Sequence, residues 1–456
     1  MSILSAFKSS VTTLVLLAAI AVPVHATVTT IGDVDPGGAT DPWAVGGTLK
    51  VGNSGNGTLS ITAGGEVTNH HGYIGYSAGS TGEATVAGFS GWTHSGVLSV
   101  GQRGSGTLNI TDGGEVTNTS VSYDGFIGRY PGSIGEATVT GVGSQWSNSD
   151  DLWIGGNDSA AGGTGTLNLY DSGLVTVTNI TKLWDTGTLN LDGGSLTTGS
   201  FDNSEAGTFN FHDGTLAVIG AGGSFNPGST DFSIDGLGVT DLPELVIANT
   251  ASTALSGDLF VGDNNQGSLT IQSGGVVANT VGHIGGNSSG STGIATVTGE
   301  GSQWNNLGDL HVGISGNGTL NVTDGGTVVV TKDTKVAWNP GSVGTIQFDT
   351  GGTLETGSLS SSFENLKGTG TINTHGLVSD VDLVFDSQAS LTRSWSLTGI
   401  DQNITLNLDV DGTGSLGAGF SGSGTLQISD GMTVPSTYGY LAAKSGSIGA
   451  TTVTGA

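Results

Sequence analysis

Gly106-Thr107-Leu108-Asn109-Ile110-Thr111-Asp112-Gly113-Gly114-Glu115-Val116-Thr117-Asn118 holds two short runs of alternating apolar and polar residues, divided by an Asp-Gly-Gly turn. Alternation with a period of two marks strands with one buried face. The turn residues suit backbone at positive φ, where glycine pays no steric penalty and Asp can bond to nearby backbone. The first run recurs as Gly57-Thr58-Leu59-Ser60-Ile61, Gly165-Thr166-Leu167-Asn168-Leu169, Gly267-Ser268-Leu269-Thr270-Ile271, Gly318-Thr319-Leu320-Asn321-Val322 and Gly424-Thr425-Leu426-Gln427-Ile428. Where one copy has Asp112 or Asp324 in the turn, another has Ala63 or Ser273. That exchange predicts a turn role for the aspartates rather than a ligand at every copy.

A second phrase follows each turn: Tyr73-Ile74-Gly75, Phe126-Ile127-Gly128 and His283-Ile284-Gly285. It leads into Ala84-Thr85-Val86, Ala137-Thr138-Val139 and Ala295-Thr296-Val297, and then to Trp92, Trp146 and Trp304. The unit is therefore roughly fifty residues long, within the range of known repeat arrays. A longer period overlies it: Trp146 and Trp304 are 158 residues apart, as are Asp151-Leu152 and Asp309-Leu310, while Leu259 matches Leu416 at 157. A block of about three units was duplicated in tandem.

These patterns predict an all-β chain, a right-handed parallel β-helix in which equivalent side chains stack from coil to coil. Leu, Ile and Val point inward, and Thr, Ser and Asn outward or into ladders. With neighbouring strands at about 4.8 Å, the repeat region would form a rod on the order of 90 Å long. A β-propeller has blades of similar period, and a string of small sandwiches is the other competitor. The irregular stretch around residues 187–250 argues against a closed ring.

The succession GTLNITDGGEVTN, an Ile-Gly strand, ATVTG and GSxW resembles the repeat of type V autotransporter passenger regions and of bacterial surface proteins with a PEP-type sorting tail. It is carried best by Gly106 to Asn118 with Gly141 to Trp146, and by Gly299 to Trp304 with Gly318 to Gly326. The resemblance covers most of residues 45–456 and implies an exported β-helical surface or adhesin-like protein. No translocating outer-membrane barrel or sorting anchor is recognised in the sequence. The last segment, Gly446 to Ala456, parallels Gly290 to Glu300 and stops before the Trp phrase, which suggests a chain truncated at that end.

Residues 1–26 carry Lys8, an apolar run from Val11 to Val22 and small residues before Ala26, the layout of a signal peptide. Residues 27–456 are then the β-helical repeat domain, and the expected location is secreted or on the bacterial cell surface. Of the 456 residues, 10 are Lys or Arg and 38 Asp or Glu, for a net charge of −28. Such a surface repels phosphate backbones, which excludes nucleic acid as a partner. The absence of cysteine removes disulfides, thiolate metal sites and a cysteine nucleophile.

Candidate sites are few. Trp92, Trp146 and Trp304 occupy equivalent positions, and as an external aromatic ladder they would bind neutral sugars of a cell-surface glycan. The plainer reading is buried packing at the coil corners. Asp409 and Asp411 open an Asp-x-Asp-Gly string that suits calcium, the one ion expected, although Phe420 stands where a twelve-residue calcium loop ends in Glu. Solvated turns are the alternative for these aspartates. His70, His71, His94, His212, His283, His311 and His375 are scattered, Arg103, Arg129 and Arg393 are isolated, and the G-x-S-x-G string at 286–290 sits in a turn-rich stretch with no helix after it. The expected function is a structural or adhesin-like passenger rod without catalysis. The alternatives are a polysaccharide lyase or hydrolase and a calcium-stiffened matrix protein.

Overall fold

The structure is a computed structural model that describes residues 25–399 and 401–455. The expected signal peptide lies outside the described residues except for His25 and Ala26. Strand accounts for 56% of the chain and helix for 1%, and the chain winds as a parallel β-solenoid of about 16 turns.

One coil shows the construction. Asn56–Thr62 forms its first strand, Glu66–Asn69 its second and Gly72–Ile74 its third. The next coil repeats this with Thr81–Ala87, Gly91–His94 and Leu98–Val100, each parallel to its predecessor. Leu59 lies under Ala84, Val67 under Trp92 and Ile74 under Val100, all fully buried. Inward side chains thus stack column by column, and each fully buried one contributes about 1.5–3 kcal/mol. Every inner strand both donates to and accepts from the coils on either side of it, so the backbone is satisfied without a closed barrel. At one end Thr27–Gly32 pairs antiparallel with Asn56–Thr62, and Val34–Asp35 antiparallel with Leu49–Val51, which covers the first strand edges.

Glycine is required at the corner between third and first strands. Gly52, Gly75, Gly101 and Gly128 have φ between +69° and +73°. The glycines opening the first strands stack in register as Gly57, Gly82, Gly106, Gly135 and Gly165. A Cβ on Gly135 would lie 2.1 Å from the Val100 carbonyl oxygen and 2.4 Å from the Gly128 nitrogen. The recurring Gly-Thr-Leu and Ile-Gly phrases are therefore one device: two glycine columns that let the backbone pass close to itself. In the turn after the first strand, Ala63, Asp112, Ser273, Asp324 and Asp430 all have φ between +49° and +58°. Conformation rather than ligation sets that position.

The strand lanes change partners in the middle of the chain. The first-strand lane of the first block ends at Thr208–Phe211, which closes an eight-stranded sheet. The second-strand lane continues through Gly214–Val218 and Pro243–Ile247 onto Gln266–Gln272, which carries the Gly-Ser-Leu phrase of a first strand. The second block is thus rotated by one strand position around the rod. Phe201, Phe209, Phe211, Phe225 and Phe232 gather at this junction, with neighbouring ring centroids 4.9 to 6.3 Å apart.

Candidate functional site

The middle residue of each three-residue third strand points outward, and in the first block these residues stack as Lys50, Tyr73, Ser99, Phe126, Trp153 and Lys182. Corner loops rising from the same strands add Tyr76, Arg103, Arg129, Tyr130 and Trp184. Lys50 lies over Tyr76, Arg103 over Tyr130, Arg129 over Phe126 and Lys182 over Trp184. With Lys335 over Trp338, Arg393 over Phe385 and Lys444 over Phe420, seven of the nine bases among the described residues lie on an aromatic face. Cation–π contact of this kind contributes about 0.5–2 kcal/mol and holds a long side chain in place. At the other edge of this lane Tyr123 packs edge-on against His70 and His71 at 5.6 and 5.4 Å. In the first block, the four described bases Lys50, Arg103, Arg129 and Lys182 all lie on this one lane, beside its aromatic rings.

The second block carries its own version. Phe260, His283, His311 and Lys335 stack in register, with ring centroids 4.5 and 5.2 Å apart and planes within 5°. Asp309 accepts from Lys335 at 2.6 Å and lies 3.8 Å from His311, while Asp258 lies 3.9 Å from His283. Burial, the neighbouring His283 and Lys335 together push His311 down to about 4, despite Asp309. Burial raises Asp309, but Lys335 and the Asp333 N–H outweigh it and hold the carboxyl below its usual range. Because of the rotation at the junction, this lane lies on a different side of the rod from its counterpart in the first block.

The three equivalent tryptophans are fully buried, which corrects the expectation of an external sugar-binding ladder. Each lies inside the second-strand lane between smaller residues, Trp146 between Val116 and Val175 and Trp304 between Val277 and Val328. Large and small side chains alternate and so fill the coil interior. The indole of Trp92 donates to Asn69 Oδ1 at 2.5 Å and that of Trp304 to Asn279 Oδ1 at 2.6 Å. The Trp146 indole nitrogen has no partner. Those asparagines belong to a buried corner ladder in which Asn118 donates to Asn148 and Asn279 to Asn306. His94 takes the ladder position between Asn69 and Asn118. Both its ring nitrogens are unpaired, and burial lowers its pKa to about 3.

Asp409 and Asp411, the residues of the calcium expectation, bond to different neighbours. Asp409 accepts from the Thr392 hydroxyl at 2.6 Å; Asp411 accepts from the Thr413 N–H and hydroxyl and lies 3.2 Å from His375. Among the described residues, the group of carboxylates close enough to share an ion is Asp124, Asp150 and Asp151. Burial, then neighbouring aspartates, raise Asp124 and Asp151 against the hydrogen bonds each accepts. Asp411 and His375 instead line an open groove of about 470 Å³ with Glu355 and Asn373.

No protein-family model matches the chain, and no curated protein matches it. The fold class, a parallel β-solenoid, therefore rests on the chain's own geometry. Sequence reasoning missed the outward lane because its members lie about 25 residues apart and differ in type. The signal was the middle residue of each short phrase before Gly, read down the coils: Tyr73, Ser99, Phe126 and Trp153.

Proposed function

We propose that the chain is a secreted or cell-surface structural and adhesin-like rod, of the kind found as passengers of exported bacterial surface proteins, and that it has no catalytic role. The observation that carries the reading is an unbroken outward lane. Thr68, Thr93, Thr117, Ser147, Thr176, Thr197, Ala217, Val246, Thr270, Thr296, Asn321, Gln347 and Lys367 follow one another strand by strand. From Thr68 to Asn321 this lane presents short side chains at regular spacing, except at the buried Val246, which suits many weak contacts acting together. The signal-like segment and the resemblance of the repeats support the setting. The partner class is a cell-surface glycan or protein. The test is a screen of the full chain against glycan and cell-surface panels; binding to neither leaves a scaffold and removes adhesion.

A second reading, a polysaccharide-active enzyme, is favoured by the groove that brings Glu355, His375 and Asp411 together. Product release from plant and bacterial polysaccharides, abolished by Asp411→Asn, would replace the adhesive reading.

A further inference from the structure

Arg103 and Arg129 are 26 residues apart in the chain, but consecutive third corners bring both to the Tyr130 ring, at 4.9 and 5.2 Å. Their setting differs from that of the lysines in the same lane. Lys50, Lys182 and Lys335 each face a carboxylate, from Asp35, Asp202 and Asp309. Among the described residues, no carboxylate lies within 4 Å of either arginine. Arg129 reaches only Gln102 Oε1, at 3.5 Å, and its Nε is buried without a partner. In a chain of charge −28, with 38 acids available, these two guanidinium groups, like that of Arg393, have no carboxylate within 4 Å among the described residues.

The surroundings are preformed. The N–H groups of Gln102, Arg103 and Gly104 converge on the Gly75 carbonyl at 3.1, 3.3 and 3.0 Å, which pins the loop that carries Arg103. Beside it lies a cleft of about 280 Å³ lined by Tyr76, Ser77, Ala78, Gln102 and Arg103. Tyr73 packs against Tyr76 with ring centroids 5.2 Å apart, continuing the aromatic wall. Planar guanidinium groups suit a carboxylate, to which they donate paired hydrogen bonds. Tyrosine faces suit the apolar face of a pyranose ring, and Ser77 and Gln102 supply polar groups for its hydroxyls.

We propose that the cleft lined by Arg103, with Arg129 beside it at the Tyr130 ring and Gln102, binds a carboxylate-bearing sugar residue at the end of an otherwise neutral glycan. The neutral remainder follows from the charge of the rod, since a polyanion would be repelled along the whole molecule while a single acidic sugar meets only the local cations. The inference deepens the adhesive reading and rests on it for its biological setting. Its chemistry stands on the cleft alone.

The test is titration calorimetry of the full chain with two oligosaccharides of equal length that differ only in the terminal residue, glucuronic acid in one and glucose in the other, and with acetate as the free-anion probe. The acid-ended probe is expected to bind roughly tenfold tighter or more than the other two. Arg103→Gln, at an exposed position, and Arg129→Gln each reduce it to the neutral level, while Lys332→Gln does not. Equal binding of the two oligosaccharides overturns the proposal. So does acetate binding as tightly as the acid-ended sugar, or a self-association that Arg103→Gln abolishes, which would make the occupant a second acidic copy of the chain. Cell-surface binding that survives Arg103→Gln, with no preference for the acid-ended probe, refutes this site and leaves adhesion standing. Preference for that probe without any cell binding does the reverse.

Discussion

Trp146 and Trp304 form a matched pair for measuring what one buried hydrogen bond contributes. They hold equivalent places, each fully buried and each between two valines in the same lane. Replacing either by Phe removes the same atoms, so the loss of packing is similar at both sites. The polar consequence differs. Trp304→Phe leaves Asn279 Oδ1 buried without its donor, whereas Trp146→Phe removes an indole N–H that has no acceptor. An orphaned buried polar group costs about 1–3 kcal/mol. Trp304→Phe should therefore destabilise its coil more than Trp146→Phe does by that amount, roughly a 5- to 160-fold difference in local opening. A repeat array of this length is not safely two-state, so the assay is native-state amide exchange. The probes are the strands Gln145–Asn148 and Gln303–Asn306. Equal acceleration in the two variants would refute the reasoning.

Further outcomes follow from the same geometry. Gly135→Ala forces a methyl against backbone on both sides and should cost about 1–3 kcal/mol or more, whereas Gly290→Ala meets nothing within 4 Å and should leave the melting temperature unchanged. His94 and His311 are held far below the ordinary imidazole value, so the unfolded chain takes up protons that the folded chain refuses. Stability should then fall as pH drops from about 6.5 towards 4, by roughly 2–3 kcal/mol for His311; acid melts of His311→Gln should lose that part of the slope. His94→Asn completes the asparagine ladder and should raise stability by roughly 1 kcal/mol at neutral pH, and by more in acid. Asp124→Asn removes one charge from a group of three carboxylates in which the raised values of Asp124 and Asp151 make stability decline as pH rises above the ordinary carboxylate range; its melting temperature at pH 7 should exceed that of the parent.

The solenoid was legible because its determinants are local. The alternation in Leu108-Asn109-Ile110, the Asp-Gly-Gly turn and the Ile-Gly corner each specify a backbone shape, and their repetition makes the shapes stack. The rotation of the second block was not legible. Leu152 and Leu310 match in sequence, yet the lane of Leu152 runs through Thr181 and Phe201 to Phe225, while that of Leu310 runs through Gly282 and Leu259 to Phe232. The cause is the extra short strand Ser252–Ala254, which comes between Pro243–Ile247 and Leu259–Val261. Three residues reading Ser-Thr-Ala carry no pattern that announces a strand. The second junction instead spends residues on a hairpin, Thr392–Gly399 against Gln402–Asp409.

The candidate site was legible in part. Tryptophan was singled out for its spacing, but the regularity that made Trp92, Trp146 and Trp304 conspicuous reflects packing inside the coil, where every block needs the same volume filled. Arg103 and Arg129 look isolated in sequence because their proximity depends on the height of one coil. Only stacking brings residues 26 positions apart to one tyrosine ring. The rod is also shorter than the length expected from sequence. Leu59, Ala84, Leu108, Ala137 and Leu167 succeed one another at 24 to 30 residues, and about 16 turns at about 4.8 Å give roughly 75 Å.

The most direct test of the stacked coil is a set of spin-label distances along the outward lane of the second strands. Thr93 and Thr296 are separated by eight successive strand pairings, through Thr117, Ser147, Thr176, Thr197, Ala217, Val246 and Thr270. Pulsed dipolar spectroscopy of the doubly labelled chain should give about 38 Å, and moving one label coil by coil should change the distance by about 4.8 Å per step. Distances that fail to grow with the number of intervening coils, as radial blades or separate globules would give, would contradict the solenoid and every site placed on it.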